Sequence, residues 1–267
     1  MKIVEKTASS ILNKSGIPGI ARVINPYTGC LHACVYCYAT FMRRFTGHSE
    51  PWGKFLDVKV NAPELLEKEL SRKTITGSVM LSSVTDAYQY AEAKYRITRR
   101  LLEILLDHDV NVEILTKSDL VTRDIDLLKR FRNASVGMSI MTTNDRAGRH
   151  FEPYAPVPSK RFAALGKLKD SGIGTWAFIS PFLPGVTDAE SILKKLSGIA
   201  DESAIEAFNM RGACLMGVKK VMKQHYPDML SGWEMQASDR RYWDHIELLG
   251  KTSARKNGIS FSGLYRH

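Results

Sequence analysis

Hydrophobic and polar positions follow two rhythms along this chain. Short apolar runs enriched in β-branched residues, ARVIN (21–25), SVMLSS (78–83), NVEILT (111–116), SVGMSI (135–140), TWAFIS (175–180) and AIEAFN (204–209), have the length and composition of strands. Amphipathic stretches lie between them. Ile97, Leu101, Ile104 and Leu105 recur at helical spacing, which predicts a helix with one buried face. Asn61 ahead of Pro63 and Glu64 predicts a cap for a helix carrying Leu65, Leu66 and Leu70. Thr187 and Glu190 have the spacing of a capping box before Ile192, Leu193 and Leu196. The segment FEPYAPVPSKR (151–161) reads as a Pro-rich loop, with a capped helix resuming from Ser159.

Six strand–helix units in series imply a parallel sheet, because parallel neighbours need a crossover of this length. Eight units would close a full barrel, so the expected fold is a partial (β/α)6 barrel of the TIM type. Residues 1–216 form the core of that barrel. Residues 217–267 form a helical C-terminal extension packed on the same domain, ending in the strand-like ISFSGLY, which could cover the open sheet edge. In such folds ligands bind at the carboxyl ends of the strands. Polar residues collect there: Thr28 to Cys37, Ser82 to Asp86, Thr116 to Ser118, Thr142 to Asp145, Ser180, then Asn209 and Arg211.

Composition changes the picture in two ways. A formal charge of +10 favours an anionic partner: nucleic acid, a phosphorylated metabolite or an acidic carrier. It does not choose among them. The absence of a leader-like segment or a membrane-length apolar run predicts a cytoplasmic protein with no membrane partner. Four cysteines, three of them within eight residues, suit a metal site in a reducing compartment better than disulfides.

Cys30, Cys34 and Cys37 follow the first strand with the spacing Cys-x3-Cys-x2-Cys. Soft thiolates so placed can bind zinc or an iron–sulfur cluster. A closed zinc site needs a fourth ligand, for which His32 or the distant Cys214 are available. A three-cysteine cluster instead leaves one iron without a protein ligand.

This motif, with Tyr36 just before its third cysteine, resembles that of the radical S-adenosylmethionine (radical SAM) superfamily. The blocks INPYTGCLHACVYCYA, SSVTDAYQYAE, ILTKSDLVTRDIDLL, MSIMTT, FEPYAPVPSKR and ISPFLPGVTD are similar to its spore photoproduct lyase-like branch. The resemblance implies a [4Fe–4S] cluster on Cys30, Cys34 and Cys37 whose open iron binds S-adenosyl-L-methionine. It further implies reductive cleavage to a 5′-deoxyadenosyl radical and a flavodoxin- or ferredoxin-type electron donor. Tyr36 and Tyr38 would flank the adenine. Thr85 and Asp86 match positions near the methionyl amino group, Lys117 would pair with the methionyl carboxylate, and Ser139 would reach the ribose. Tyr88, Gln89, Arg123, Glu152 and Arg211 are candidates for substrate contact.

One departure matters. Spore photoproduct lyases place a hydrogen-donating cysteine where this chain has Ser83, and a serine O–H bond is far too strong to give a hydrogen atom to a carbon radical. Cys214 is the spare thiol that could serve the same face, although lone cysteines are commonly small buried hydrophobes. Ser83 and Cys214 are therefore the two candidates for that catalytic place. The expected function is a radical enzyme, lyase-like in its blocks, that abstracts hydrogen from a substrate the sequence does not identify, a nucleic acid or nucleotide being one candidate. A small metabolite or peptide is the alternative substrate. A non-catalytic zinc- or cluster-binding regulatory or nucleic-acid-binding protein is the alternative from another class.

Overall fold

In the computed structural model, which describes residues 1–72 and 75–266, eleven strands are present among the described residues. They are β1 (Lys2–Lys6), β2 (Leu12–Lys14), β3 (Ile20–Ile24), β4 (Tyr27–Thr28), β5 (Phe55–Lys59), β6 (Ser78–Leu81), β7 (Asn111–Thr116), β8 (Ala134–Ser139), β9 (Gly174–Phe182), β10 (Glu202–Ala207) and β11 (Ser260–Tyr265). The α-helices are α1 (Ala62–Leu70), α2 (Glu92–Tyr95), α3 (Ile97–Leu105), α4 (Ile125–Leu128), α5 (Asp145–Phe151), α6 (Pro158–Asp170), α7 (Ala189–Leu196), α8 (Gly212–His225), α9 (Leu230–Ser238) and α10 (Arg240–Lys256).

All six predicted strands lie in one sheet, ordered β11-β10-β9-β8-β7-β6-β3-β2. Every pairing from β3 to β11 is parallel, and β2 adds an antiparallel edge on β3. The partial barrel is thus extended by β11 beyond the six units of the βα rhythm. A second, smaller sheet of order β1-β5-β4 was not legible in that rhythm. It braces the segment between the first and second units. No helix among the described residues is long and apolar enough to cross a membrane.

Alternation along the strands sends one set of side chains to the helices and the other inward. Val79, Leu81, Val112, Ile114, Val136, Met138, Ala177, Ile179 and Ile205 form one core with Leu66, Leu101, Leu105, Leu165, Ile192 and Leu196 from the helices. Each fully buried leucine in such a core contributes about 1.5–3 kcal/mol. Trp243 and Ile246 of α10 join the same core. Helix α8 runs continuously through residues 216 and 217. On the inner face Trp176 fills the space above Gly137, where an added Cβ would lie 2.3 Å from the indole. The interior is packed there, which leaves the carboxyl ends of the strands as the open end.

Three helix starts differ from the sequence expectation. The Asn61 side chain makes no cap; its amide instead pairs with both backbone groups of Ala8, at 2.8 and 3.0 Å. Thr187 accepts from Leu183 N at 2.9 Å, and Asp188, one residue later, caps α7 through Ser191 N at 3.0 Å. Helix α6 starts at Pro158, and Ser159 is tied to Asp145 rather than capping its own helix. In each case another partner, distant for Asn61 and Ser159 and four residues upstream for Thr187, competes with the local cap for the same side chain.

Candidate functional site

The cysteine loop follows β4 and is shaped by backbone that few residues tolerate. Gly29 has φ +95°, and a Cβ there would lie 2.7 Å from the Phe55 carbonyl oxygen. Ala33, between the first two cysteines, adopts a left-handed φ of 53°. The loop is then fastened by three hydrogen bonds and two close backbone approaches. Leu31 N donates to Gln89 Oε1 at 2.8 Å, Val35 N to the Phe151 carbonyl at 2.9 Å, and Tyr154 N to the His32 carbonyl at 3.3 Å. Gly53 and Gly217 let their backbones abut Ala33 and the Val35 carbonyl, where a Cβ would come within 2.2 Å in both cases.

Cys30 and Cys34 are buried, Cys37 is half-buried, and all three are free thiols. Burial pushes each of them up, Cys34 to about 12, and the thiols raise one another. Lys117 works in the opposite direction on Cys34 and Cys37. Buried thiolates so disfavoured need a bound cationic centre to exist. Among the described residues no three His, Cys, Asp or Glu side chains converge as one metal ion requires. A cluster offers separate irons to separate thiolates, so this donor set suits it. The remaining donor in the loop, His32, is buried with Nδ1 3.4 Å from Asp86.

Lys117, just after β7, lies between this loop and β8. Its Nζ donates to Ser139 Oγ at 2.9 Å and lies 5.6 Å from the centroid of the Tyr36 ring. Burial opposes its charge, but Cys34, Glu152 and Asp86 outweigh burial and raise its pKa. No carboxylate pairs with it among the described residues. Ser139 Oγ in turn donates to the Ser180 carbonyl at 3.1 Å.

Asp86 occupies a bracing position. It accepts from Thr116 Oγ1 at 2.6 Å and from the backbone N–H of Tyr88 and Lys117, both at 2.9 Å. It thereby ties the loop after β6 to the loop after β7. Thr85 Oγ1 donates to the Gly29 carbonyl at 2.5 Å and accepts from Gln89 Nε2 at 3.0 Å. The two tyrosines diverge: Tyr36 donates its hydroxyl to Glu152, and Tyr38 donates to the Ser83 carbonyl. Ser83 N and Val84 N both donate to Asn25 Oδ1.

Other candidates have different surroundings from those expected. Gln89 is fully buried and spends its amide on Leu31, Gly29 and Thr85, so it shapes the cysteine loop rather than meeting substrate. Arg123 is held by Glu92 and Asp124, with its guanidinium 5.9 Å from the ring of the fully buried Tyr88. Arg123 belongs to a structural ion-pair network with Glu92, Asp124 and Arg99, and Tyr88 packs against it. Cys214 packs among Met141, Phe151, Leu183, Phe208 and Val218, although its charge would be felt by Cys37. Arg211 stands exposed just before α8.

Two residues central to the geometry were missed. Arg161 is fully buried, pairs with Glu152, and donates to the Ser139 carbonyl at 2.8 Å and the Pro156 carbonyl at 2.9 Å. Its signal was a charge inside an otherwise conspicuous Pro-rich block. Glu206 accepts from Ser180 Oγ at the end of β10. Partial desolvation of its hydroxyl end, then Cys37 and last Glu206, raise the Tyr38 pKa to about 12, although the ring itself is exposed. The signal for Glu206 was an inward place in the alternation of AIEAFN.

Among the described residues, the buried Ser82 Oγ after β6 and Asn209 Oδ1 after β10 have no hydrogen-bond partner. Ser82 also has a left-handed φ of 70°, strain of the kind that clusters at ligand sites. Three thiols, a half-buried lysine without a carboxylate partner among the described residues and two unpartnered polar atoms fit a cluster together with an amino-acid-bearing nucleotide.

Residues 24–196 match the family model described as the radical SAM superfamily. An uncharacterized protein of Methanocaldococcus jannaschii is 34% identical over 267 residues, 100% of this chain and 98% of that protein. The radical SAM Nalpha-GlyT isomerase of Pseudomonas phage M6 is 25% identical over 193 residues, covering 70% of this chain and 39% of the isomerase. Among solved structures, spore photoproduct lyase complexed with dinucleoside spore photoproduct aligns with a TM-score of 0.71 at 17% identity, covering 98% of this chain and 82% of the lyase. At that identity the likeness concerns the fold.

Proposed function

The chain belongs to the radical SAM superfamily and is an enzyme of that class, and from that premise we propose that it acts on a nucleotide or nucleic acid, with Cys30, Cys34 and Cys37 ligating a [4Fe–4S] cluster. When bound, the cluster and S-adenosylmethionine supply reductive cleavage of the sulfonium and hydrogen-atom abstraction from substrate.

The observation that carries the assignment is Lys117, a half-buried ammonium with no carboxylate in ion-pair reach among the described residues, 2.9 Å from Ser139 Oγ. A partly desolvated charge is stabilised by a counter-charge. The cofactor's methionyl carboxylate provides one, in a charge-assisted hydrogen bond. Ser139 and the unpartnered Ser82 and Asn209 offer polar contacts along the strand ends, and Tyr38 and Tyr36 border the same space. Trp176 and Phe178 pack edge to face on the inner side of β9 below the strand ends, so substrate enters at the open end. Asp86, Thr85 and Gln89 hold the cysteine loop and the β6 and β7 loops in register.

A nucleotide substrate is supported by the net charge of +10 and by the dinucleoside bound to the structurally similar lyase. Ser83 takes no part in hydrogen-atom transfer in this scheme, and a flavodoxin- or ferredoxin-type protein delivers the electron. Residues 1–216 serve as barrel core, with 217–267 as an extension of the same domain. The test is anaerobic reconstitution with iron and sulfide, reduction by dithionite, and mass spectrometry after adding S-adenosylmethionine. Appearance of 5′-deoxyadenosine and methionine is expected; zinc in place of iron with no cleavage would refute the assignment.

A further inference from the structure

Directly after the third cysteine the chain forms a 3₁₀ helix, Tyr38–Phe45. Side chains three apart eclipse one another in such a helix, so Tyr38, Phe41 and Arg44 form one row, with Phe45 beside its end. The row is open to solvent: Tyr38 is 55% exposed, Phe41 41% and Phe45 66%. The Arg44 guanidinium lies 5.5 Å from the Phe41 ring centroid and 4.7 Å from that of Phe45. It makes no hydrogen bond or ion pair among the described residues. At its inner end the row meets the site, where Tyr38 bonds the Ser83 carbonyl.

Exposed aromatics interleaved with arginine form the type of surface that stacks unpaired bases. Two further observations favour a nucleic-acid strand over a protein or lipid occupant. The first is charge: the helix and the residues directly after it, 38 to 49, carry Arg43 and Arg44 and no Asp or Glu. The second is spacing. One 3₁₀ turn advances about 6 Å along its axis, close to twice the roughly 3.4 Å between successive bases of a strand, so successive aromatics can each accept a base or insert between two.

We infer that the Tyr38–Phe45 helix is a docking platform for a nucleic-acid strand with unpaired bases, guiding it outward from the active site along Tyr38, Phe41, Arg44 and Phe45. The platform rests on the nucleotide substrate proposed above and extends it to a polymer. Stacking on Phe41 and Phe45 supplies sequence-tolerant affinity, and Arg44 supplies a phosphate or cation–π contact.

The test is fluorescence anisotropy of a labelled single-stranded oligodeoxynucleotide, titrated with the reconstituted enzyme at several salt concentrations. Phe41→Ala and Phe45→Ala should each weaken binding by roughly five- to a hundredfold. Arg44→Ala should weaken it and reduce the slope of log affinity against log salt by about 0.7. All three positions are exposed, and dithionite-driven cleavage of S-adenosylmethionine without oligonucleotide should stay at the wild-type level in each. Unchanged affinity in the variants, a flat salt response of the wild type, or loss of vesicle binding rather than oligonucleotide binding would each overturn the platform. Wild type that binds the strand through these residues yet yields no 5′-deoxyadenosine would instead overturn the cofactor assignment and leave the platform standing.

Discussion

Tyr36 and Glu152, 116 residues apart in sequence, share a partly buried hydrogen bond, and Arg161 pairs with the same carboxylate. The residue before the third cysteine is thereby fixed to the loop that follows α5. Because Arg161 also holds the Ser139 carbonyl, one ion pair secures two sides of the proposed cofactor space.

Glu152→Gln leaves Arg161 as an uncompensated buried charge. A loss of about 3 to 5 kcal/mol of stability is expected, measured by denaturant unfolding against wild type. The sign with pH follows. Although burial opposes its charge, Arg161, Lys117 and Tyr36 hold the Glu152 carboxyl below its usual range. Its contribution is therefore fully present above the unfolded value of about 4.3 and lost as pH falls through the lower folded value. The gap between wild type and variant should shrink in acid; a gap independent of pH would contradict the pairing.

Lys117→Met should weaken binding of S-adenosylmethionine to the reconstituted protein by about ten- to a hundredfold, the worth of a hydrogen bond to a charged group. Isothermal titration calorimetry reads this directly. Wild-type affinity in the variant would remove Lys117 from the cofactor contacts.

Gly217→Ala isolates the fastening of the cysteine loop. In a helix alanine is favoured over glycine by about 1 kcal/mol, yet here its Cβ would lie 2.2 Å from the Val35 carbonyl oxygen. Helical content should persist by circular dichroism while iron retained per chain falls below wild type. Full iron retention would show that the loop yields without cost.

Each of Cys30→Ala, Cys34→Ala and Cys37→Ala should abolish the visible absorption of the reconstituted cluster and the S-adenosylmethionine cleavage that depends on it. Chelation of iron from wild type should do the same. Iron and sulfide analysis alongside spectra checks all four cases.

Cys214→Ala should retain cluster, cofactor cleavage and substrate turnover, at a cost of about 1 kcal/mol for its place in an apolar cluster. Loss of turnover with intact cofactor cleavage would restore Cys214 as a hydrogen donor.

Much of this was written locally. Strand and helix periodicities, the clustering of Cys30, Cys34 and Cys37, and the polar residues following each strand depend on backbone geometry and near neighbours, so the sequence alone determined the parallel α/β core and where its open end lies. Lys117 was legible for the same reason: it directly follows the β7 strand. Only the tertiary structure decided that Glu152 meets Tyr36 and Arg161, that Gln89 and Asp86 brace loops, and that Asn61 turns away from its helix start to Ala8. Those outcomes join groups far apart along the chain, and no periodicity records them. Which polar atom wins a buried partner is settled when packing removes water from all the competitors together.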